Sequence, residues 1–183
     1  MSRPASGAAA AAQQAAAQQV VAGLSARQQH VAVAESLTGG LLAAALASVP
    51  GASVVFRGGI VAYATDLKAS LLGVDQAVLD RCGAVSGETA QAMADGVRAR
   101  LGATFGVATT GVAGPDPAEG KPVGTVYIAA TGGDSGPGTR QTGHRDDRII
   151  RRLDLAGNRN DIRGQTVTEA LALLLVLMRE ETR

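Results

Sequence analysis

A serine and a threonine lie in a short turn, residues 34–40 (AESLTGG), between a predicted strand and a predicted helix. Unpaired backbone N–H groups and the positive end of a helix dipole meet at such a turn, where anions and oxyanions bind. Ser36 is a candidate nucleophile there, and Gly39 and Gly40 leave the backbone open to a ligand. A simpler interpretation, which the turn alone favours, is that Ser36 or Thr38 only caps the helix.

A nucleophilic serine needs a base, and Lys68 is the first candidate. It follows a predicted strand, residues 58–63, and would meet Ser36 if that strand lies beside residues 30–34. A lysine base must be neutral, so burial or a nearby positive charge must lower its pKa. Tyr63 could hydrogen-bond either residue. Each also has an ordinary interpretation, Lys68 as a solvated helix residue and Tyr63 as packing at a strand end.

Other common chemistries find less support. His30 begins the strand that ends near Ser36, roughly 15 Å away at about 3.3 Å per residue, whereas His144 stays open as an alternative base. The pair at residues 120–121 (GK) is not followed by serine or threonine, so it is not a phosphate-binding loop. Histidine and cysteine show no metal-ligand spacing, and we predict neither metal nor other cofactor. The single cysteine, Cys82, is predicted to be a small buried residue.

Composition limits the protein class. The chain has 183 residues, 46% of them hydrophobic and 2% aromatic, which fits one domain with a core of Ala, Val, Leu and Ile. A formal net charge of +1 gives no electrostatic reason to bind nucleic acid or an anionic membrane. No apolar run is long enough to span a bilayer, and the first residues do not resemble a signal peptide. We therefore predict a cytoplasmic protein.

The periodicity predicts alternating helices and strands. Their order indicates one α/β domain over residues 1–183, a three-layer α/β/α sandwich with a mixed sheet. Residues 1–20 are rich in Ala and Gln and predict a helix that frays at its start. Helices are predicted at 8–24, 38–48, 67–72, 75–81, 88–101 and 159–179, with Thr65 or Asp66, Ser86 and Asn158 as caps, and strands at 30–34, 58–63, 105–109, 124–130, 139–144 and 151–155.

Two glycine-rich loops, at residues 34–40 and 110–116, each follow a predicted strand. In open α/β sheets ligands bind at the carboxyl ends of strands, so we expect the two loops to line one pocket. Six short motifs in one order then closely resemble the CinA C-terminal domain family of competence/damage-inducible proteins. They are residues 34–40 (AESLTGG), 59–63 (GIVAY) with Lys68, 83–86 (GAVS), 110–115 (TGVAGP), 121–127 (KPVGTVY) and 157–163 (GNRNDIR).

The resemblance covers residues 20–178 and implies an α/β/α sandwich whose characterised activity is deamidation of nicotinamide mononucleotide. It implies Ser36 as nucleophile, Lys68 as base and Tyr63 as a supporting tyrosine. Two loop positions depart from the family pattern: Asn158 stands where an aspartate is expected, and Pro117 where a glycine is expected. The residues predicted to bind the substrate are Glu35, Thr38, Gly39, Gly40, Thr110, Gly111, Arg159 and Arg163.

Two classes of function therefore compete. The first is a serine–lysine amidohydrolase acting on nicotinamide mononucleotide or another carboxamide, and the second is a nucleotide-binding module without turnover that serves in competence or the response to DNA damage. The metal-dependent pyrophosphatase domain of longer relatives has no counterpart here, so its activity is not expected. The expected partners are a small nucleotide and further copies of this chain, as a homodimer or larger homo-oligomer. If Arg163 contacts the substrate phosphate, its replacement by alanine should mainly raise KM.

Overall fold

The computed structural model of the protein describes residues 5–132 and 147–180. The described part of the chain contains five strands and six α-helices. The strands are β1 (Val31–Glu35), β2 (Phe56–Val61), β3 (Phe105–Gly111), β4 (Thr125–Gly132) and β5 (Asp147–Asp154). The helices are α1 (Ala5–Ala26), α2 (Leu41–Ala47), α3 (Thr65–Leu72), α4 (Gln76–Cys82), α5 (Gly87–Leu101) and α6 (Arg159–Glu180).

The strands form one mixed sheet in the order β2-β1-β3-β4-β5. The central strand β1 is parallel to both β2 and β3, whereas β4 is antiparallel to β3 and to β5. A helical crossover precedes each added parallel strand, because a parallel pair cannot be joined by a tight turn. The prediction of a mixed sheet is confirmed.

Helices cover both faces of the sheet and make the fold a three-layer sandwich, as predicted. Successive side chains of a strand point to opposite faces. Val31 and Val33 accordingly join a core with α1, α2 and α6, and Ala32 and Ala34 join a second core with α3, α4 and α5. The second core is lined by smaller residues, so α5 lies close to the sheet: a Cβ at Gly106 would collide with the backbone of α5.

Strand register brings three chain segments together at one edge of the sheet. Glu35, the last residue of β1, is level with Val61 at the end of β2 and with Thr109 near the end of β3. The Ser36 N–H donates to the carbonyl of Thr109 at 3.0 Å. The loop after β1, the β2–α3 connection and the glycine-rich loop after β3 therefore share one rim, which confirms the predicted neighbourhood of the two glycine-rich loops.

The predicted helix caps are confirmed in two cases and wrong in a third. The Ser86 hydroxyl accepts the Thr89 N–H at the start of α5, and the Asn158 side chain accepts two N–H groups at the start of α6. At α3, in contrast, Ala64 occupies the cap position and no side chain caps the helix. Thr65 and Asp66 lie inside its first turn, because the helix begins two residues earlier than the apolar pattern indicates.

The burial of Cys82 and the start of the last strand differ from the sequence predictions. Cys82 is half-buried at the end of α4, not fully buried, because it is the last residue of an outer-layer helix. Strand β5 begins at Asp147, four residues earlier than predicted. The predicted strand at 139–144, which carries His144, lies outside the described residues. Within them, no helix is both long and apolar enough to cross a bilayer.

Candidate active site

Ser36 and Lys68 meet at the rim. The Lys68 Nζ lies 3.1 Å from the Ser36 Oγ, 2.9 Å from the Ala62 carbonyl and 3.4 Å from the Tyr63 carbonyl. Lys68 is only 1% exposed, which excludes its interpretation as a solvated helix residue. A serine hydroxyl and a buried amine are thus in direct hydrogen-bond contact, the geometry that proton transfer between them requires.

The local fold explains why this lysine is buried. Lys68 lies in the first turn of α3, and helical side chains point back toward the N-terminus of their helix. The amine therefore lies over the chain that leaves β2, where the Ala62 and Tyr63 carbonyls accept its hydrogens. Burial lowers the pKa of Lys68 from its ordinary value of 10.5, and the nearby carboxylates of Glu119 and Asp66 oppose that shift.

Glu35 occupies the N-terminus of α2. Its carboxylate accepts the N–H groups of Gly40 and Leu42 at 3.0 Å each and that of Ala43 at 2.8 Å, and the residue is 1% exposed. The prediction that the helix start binds a substrate anion is therefore wrong, because the protein's own carboxylate already holds those donors. The capping interpretation is wrong as well, because neither Ser36 nor Thr38 caps α2 and Gly40 stands at the cap position.

Removing the Glu35 carboxylate should destabilise the fold rather than weaken ligand binding. Glu35→Ala leaves three N–H groups without their acceptor, so we expect it to lower the free energy of unfolding by about 3 kcal/mol. Asp75→Ala, which removes an exposed cap from α4, is the matched comparison and should cost about 1 kcal/mol. Denaturant titration measures both. Unchanged stability of Glu35→Ala would contradict the structural role.

The Thr38 side chain and Gly39 shape the turn and do not line the pocket. Thr38 is fully buried, and its hydroxyl lies 2.7 Å from that of Thr109. Gly39 has a φ of +58°, which favours glycine, and its N–H donates to the Ser36 carbonyl. The N–H groups of Leu37 and Thr38, in contrast, donate to no residue in the described part of the chain. Sequence reasoning indicated N–H donors in this turn but could not separate these two from the Gly40 N–H that Glu35 holds.

An open pocket of about 240 Å³ lies beside the Ser36–Lys68 pair. The pocket is not lined by Glu35, Gly39, Gly40 or Arg163, nor by the Thr38 side chain. Its geometry gives no support to these predicted substrate contacts. Of the residues predicted to act or bind, its walls include Ser36, Tyr63, Lys68, Thr110, Gly111 and Arg159.

Tyr63 and Arg159 form a pair at the pocket wall. The Arg159 guanidinium donates to the Tyr63 hydroxyl at 2.7 Å and to the Gly114 carbonyl at 2.6 Å. The Tyr63 hydroxyl therefore hydrogen-bonds Arg159 and neither Ser36 nor Lys68, and it is the Tyr63 backbone carbonyl that reaches the amine. The predicted hydrogen bond from the Tyr63 hydroxyl to Ser36 or Lys68 is therefore not formed. The Tyr63 side chain is exposed instead.

Arg163 lies behind the turn instead of in the pocket. Its Nε donates to the Leu37 carbonyl at 3.0 Å and its Nη2 to the Thr38 carbonyl at 2.8 Å. Arg159 and Arg163 are four residues apart on α6 and point along the same face. Only the first reaches the pocket, because the turn after β1 lies between the second and the cavity.

Ala84 and Val85 also line the pocket, and sequence reasoning gave neither residue a role in the site. The Glu119 carboxylate accepts the N–H groups of Ala84 and Val85 at 3.0 Å each. Thr110 donates its hydroxyl to the Ala84 carbonyl at 2.7 Å. The signal was present in the motif at residues 83–86, but nothing local to it indicates that its partner lies 34 residues away at Glu119.

Metal chemistry has no preformed ligand set in the part of the chain that the structure describes. No group of three or more His, Cys, Asp and Glu side chains there is close enough together to hold a metal ion.

Comparison with known proteins identifies related sequences. A family model described as the CinA C-terminal domain matches residues 13–178. A CinA-like protein of Frankia casuarinae is 56% identical over 148 residues, which cover 81% of this chain and 31% of that protein. A putative competence-damage inducible protein of Limosilactobacillus reuteri is 52% identical over 109 residues, covering 60% and 26%. The chain thus spans about a third or less of the length of these curated relatives.

Solved structures match over almost the full chain. The competence/damage inducible protein CihA of Agrobacterium tumefaciens has a TM-score of 0.81 at 35% identity, covering 91% of this chain and 95% of that one. A CinA superfamily protein of Klebsiella pneumoniae has a TM-score of 0.82 at 29% identity, covering 92% and 98%. Sequence and fold therefore agree on the same set of relatives.

Proposed function

Since the chain belongs to the CinA C-terminal domain family, we propose that it is an amidohydrolase that converts nicotinamide mononucleotide into nicotinate mononucleotide and ammonia. The observation that carries the proposal is the buried Lys68 amine, 3.1 Å from the Ser36 hydroxyl at the wall of an open pocket. A module that only binds nucleotides needs neither a buried amine nor its contact with a serine. The substrate itself follows from the family resemblance.

Lys68 begins the reaction as a neutral amine. Its two N–H bonds donate to the Ala62 and Tyr63 carbonyls, and its lone pair then faces the Ser36 hydroxyl. The lowered pKa supports this state, because burial penalises the ammonium form. As the Ser36 Oγ attacks the carboxamide carbon, its proton passes to Lys68.

The attack places a negative charge on the carboxamide oxygen. The N–H groups of Leu37 and Thr38, which have no acceptor among the described residues, are the unpaired donors nearest in sequence to the nucleophile. The N–H that follows a nucleophilic serine is a common oxyanion donor. One such donor is worth about 3 kcal/mol in the transition state. We assign the oxyanion site to these two groups and not to the start of α2, whose N–H groups Glu35 holds.

Collapse of the tetrahedral intermediate breaks the carbon–nitrogen bond. Protonated Lys68 gives its proton to the departing nitrogen, which leaves as ammonia, and an acyl-serine remains. Water then attacks the acyl carbon as Lys68 takes a proton, and the breaking ester bond returns that proton to Ser36. The products are the carboxylic acid and the starting enzyme. Every proton is accounted for by the same serine–lysine pair.

Arg159 supplies a positive charge at the pocket wall, where the phosphate of a mononucleotide would extend. Its guanidinium is exposed and is held by the Tyr63 hydroxyl and the Gly114 carbonyl, two neutral partners. A phosphate can therefore pair with it without displacing a carboxylate. The pyridinium ring would lie deeper, where its positive charge beside Lys68 further disfavours the ammonium form.

Ammonia release tests the proposal directly. Purified protein would be incubated with nicotinamide mononucleotide, nicotinamide, nicotinamide adenine dinucleotide and simple amides, with Ser36→Ala as the blank. We expect release from the mononucleotide, and equal release after exhaustive chelation, because the serine–lysine route requires no metal. Binding of the mononucleotide in calorimetry without ammonia release would favour the nucleotide-binding module. Activity lost on chelation and restored by zinc would contradict the mechanism.

A further inference from the structure

We propose that Arg163 is a positioning residue that orients and polarises the oxyanion donors after Ser36, without touching the substrate. The inference rests on the proposed function, since it concerns how the same site stabilises its intermediate. It reverses the expectation that Arg163 binds phosphate. Four observations support it: the contacts of the guanidinium, the geometry of the peptide groups it holds, its lack of an acidic partner, and its anchorage on α6.

Within the described residues, both hydrogen bonds of Arg163 are to the turn. The Nε and Nη2 groups donate to two successive carbonyls, those of Leu37 and Thr38, at 3.0 and 2.8 Å. The planar guanidinium presents its donors in a fixed fork, so binding two carbonyls at once fixes the direction of both. The turn is further closed by the Gly39 N–H, which donates to the Ser36 carbonyl at 3.1 Å.

Peptide geometry links the Leu37 carbonyl to one of the free donors. In a planar trans peptide the C=O and N–H bonds point in opposite directions. The Leu37 carbonyl and the Thr38 N–H belong to one peptide group, so a carbonyl fixed on Arg163 directs that N–H away from α6. The Thr38 N–H is one of the two turn donors without a partner among the described residues. Arg163 thus sets the orientation of a group it does not contact.

The charge of Arg163 adds a second effect. No carboxylate lies within ion-pair distance of it in the described residues, so no ion pair neutralises its positive charge at the turn. A cation on a peptide carbonyl polarises that peptide and strengthens its N–H as a donor. A fixed positive charge behind the donors also favours a developing oxyanion.

The position of Arg163 is itself fixed by packing. Ile162 and Thr166, its neighbours in the first turns of α6, are fully buried. The guanidinium packs directly against the turn, since a Cβ at Gly39 would lie 3.4 Å from Nη2. A rigid helix therefore presents the arginine to the turn from a distance of 126 residues in sequence.

Steady-state kinetics with nicotinamide mononucleotide test the inference. Arg163→Ala should lower kcat by about 10- to 100-fold, somewhat less than the loss of an oxyanion donor itself, and leave KM within about twofold. Guanidinium ion at millimolar concentration should restore part of that kcat, and Arg163→Lys should fall between the two. Arg159→Ala, by contrast, should mainly raise KM.

Arg57→Ala is the matched control, because it also removes a guanidinium–carbonyl contact, to Leu101 at 3.0 Å, but at the far end of β2. Its kcat should stay within about twofold of wild type. The inference is overturned if Arg163→Ala raises KM with kcat unchanged. It is also overturned if Arg163→Ala loses kcat and thermal stability together and guanidinium restores neither, which marks a purely structural role.

A second readout separates this inference from the proposed function. If wild-type protein releases no ammonia from any carboxamide, the proposed function fails, and the rate of Ser36 phosphonylation by an alkyl fluorophosphonate is measured instead by intact mass. That reaction also places a negative oxygen against the turn donors. Phosphonylation at least about tenfold slower in Arg163→Ala than in Arg57→Ala supports the inference, and equal rates overturn it.

Discussion

Replacing Ser36 with alanine is expected to lower kcat for carboxamide hydrolysis by at least about 10⁴-fold, and Lys68→Ala should cost nearly as much. Without Ser36 no acyl intermediate forms. Without Lys68 the hydroxyl keeps its proton, because no other basic side chain of the described residues hydrogen-bonds it. The double variant should be scarcely slower than either single variant, since the two residues form one unit that fails when either member is removed.

Two residues of the same types serve as controls. Ser70 lies on α3 with its exposed hydroxyl bonded to the Asp66 carbonyl, and Lys121 forms a loose ion pair with Glu119 at 3.8 Å. Neither lines the pocket. Ser70→Ala and Lys121→Ala should therefore keep kcat within about twofold, because surface contacts of this kind contribute little. Thermal unfolding of every variant shows whether a loss of rate follows from a loss of fold.

An active Lys68→Ala variant would mean that another residue is the base. If it keeps more than about a tenth of the wild-type kcat, Lys68 is not the base. His144 is then the next candidate, and His144→Ala should abolish turnover. If Lys68 is the base, His144→Ala should leave the rate unchanged.

The arrangement of the catalytic pair was accessible from sequence because it depends on local rules. A β-branched run, a polar turn and a helix place Ser36 at the carboxyl end of a strand, and the next strand–helix unit places Lys68 beside it. Parallel neighbours bring such ends to one edge of a sheet. Only the adjacency of β1 and β2 had to be assumed, and the register that pairs Glu35 with Val61 bears it out.

The position of the Glu35 carboxylate at the N-terminus of α2 could not be predicted from the sequence in the same way. Capping rules favour a short polar side chain at the cap position itself. Glu35 instead reaches the helix from the end of β1, five residues before Gly40, and meets three N–H groups. That contact exists only once the strand, turn and helix are folded, so neither propensity nor spacing predicts it.

The two arginines of α6 show a different limit. Arg159 and Arg163 have the same chemistry and the same helix face, so the sequence supports phosphate binding for both. Their roles diverge because the turn after β1 passes between Arg163 and the pocket, a fact of tertiary packing across 126 residues. Tyr63 is a similar case, because its backbone and its side chain contact different partners.

The second large effect is expected in the pH dependence. Below the pKa of Lys68 the amine is protonated and cannot accept the serine proton, so kcat/KM should rise about tenfold per pH unit and level off once the amine is neutral. Burial lowers that pKa from 10.5, so the plateau should begin at a lower pH than for an ordinary lysine. A rate that is flat with pH, or an ionisation at 10.5 or above, would contradict the assignment.

The charged neighbours of Lys68 allow the ionisation to be assigned. Glu119 and, more weakly, Asp66 raise the pKa of Lys68 against the effect of burial. Asp66→Asn removes one of these charges from an exposed residue outside the pocket, so it should move the ionisation to lower pH and leave the plateau rate unchanged. The same profile with no shift would indicate that another group titrates. An ionisation that disappears in His144→Ala would identify that group as His144.

The pH dependence of folding stability should report the same Lys68 pKa independently of catalysis. The folded state binds the Lys68 proton more weakly than the unfolded state does, because the pKa is lowered only on folding. The free energy of unfolding should therefore increase with pH between the lowered pKa and 10.5, and this contribution should be constant below and above that window. Lys68→Met removes the titrating group but keeps an apolar chain of similar length. Its stability should lack this rise, measured by denaturant titration across the window, and it should exceed that of wild type most at the acidic end, where the buried amine is forced to carry its charge.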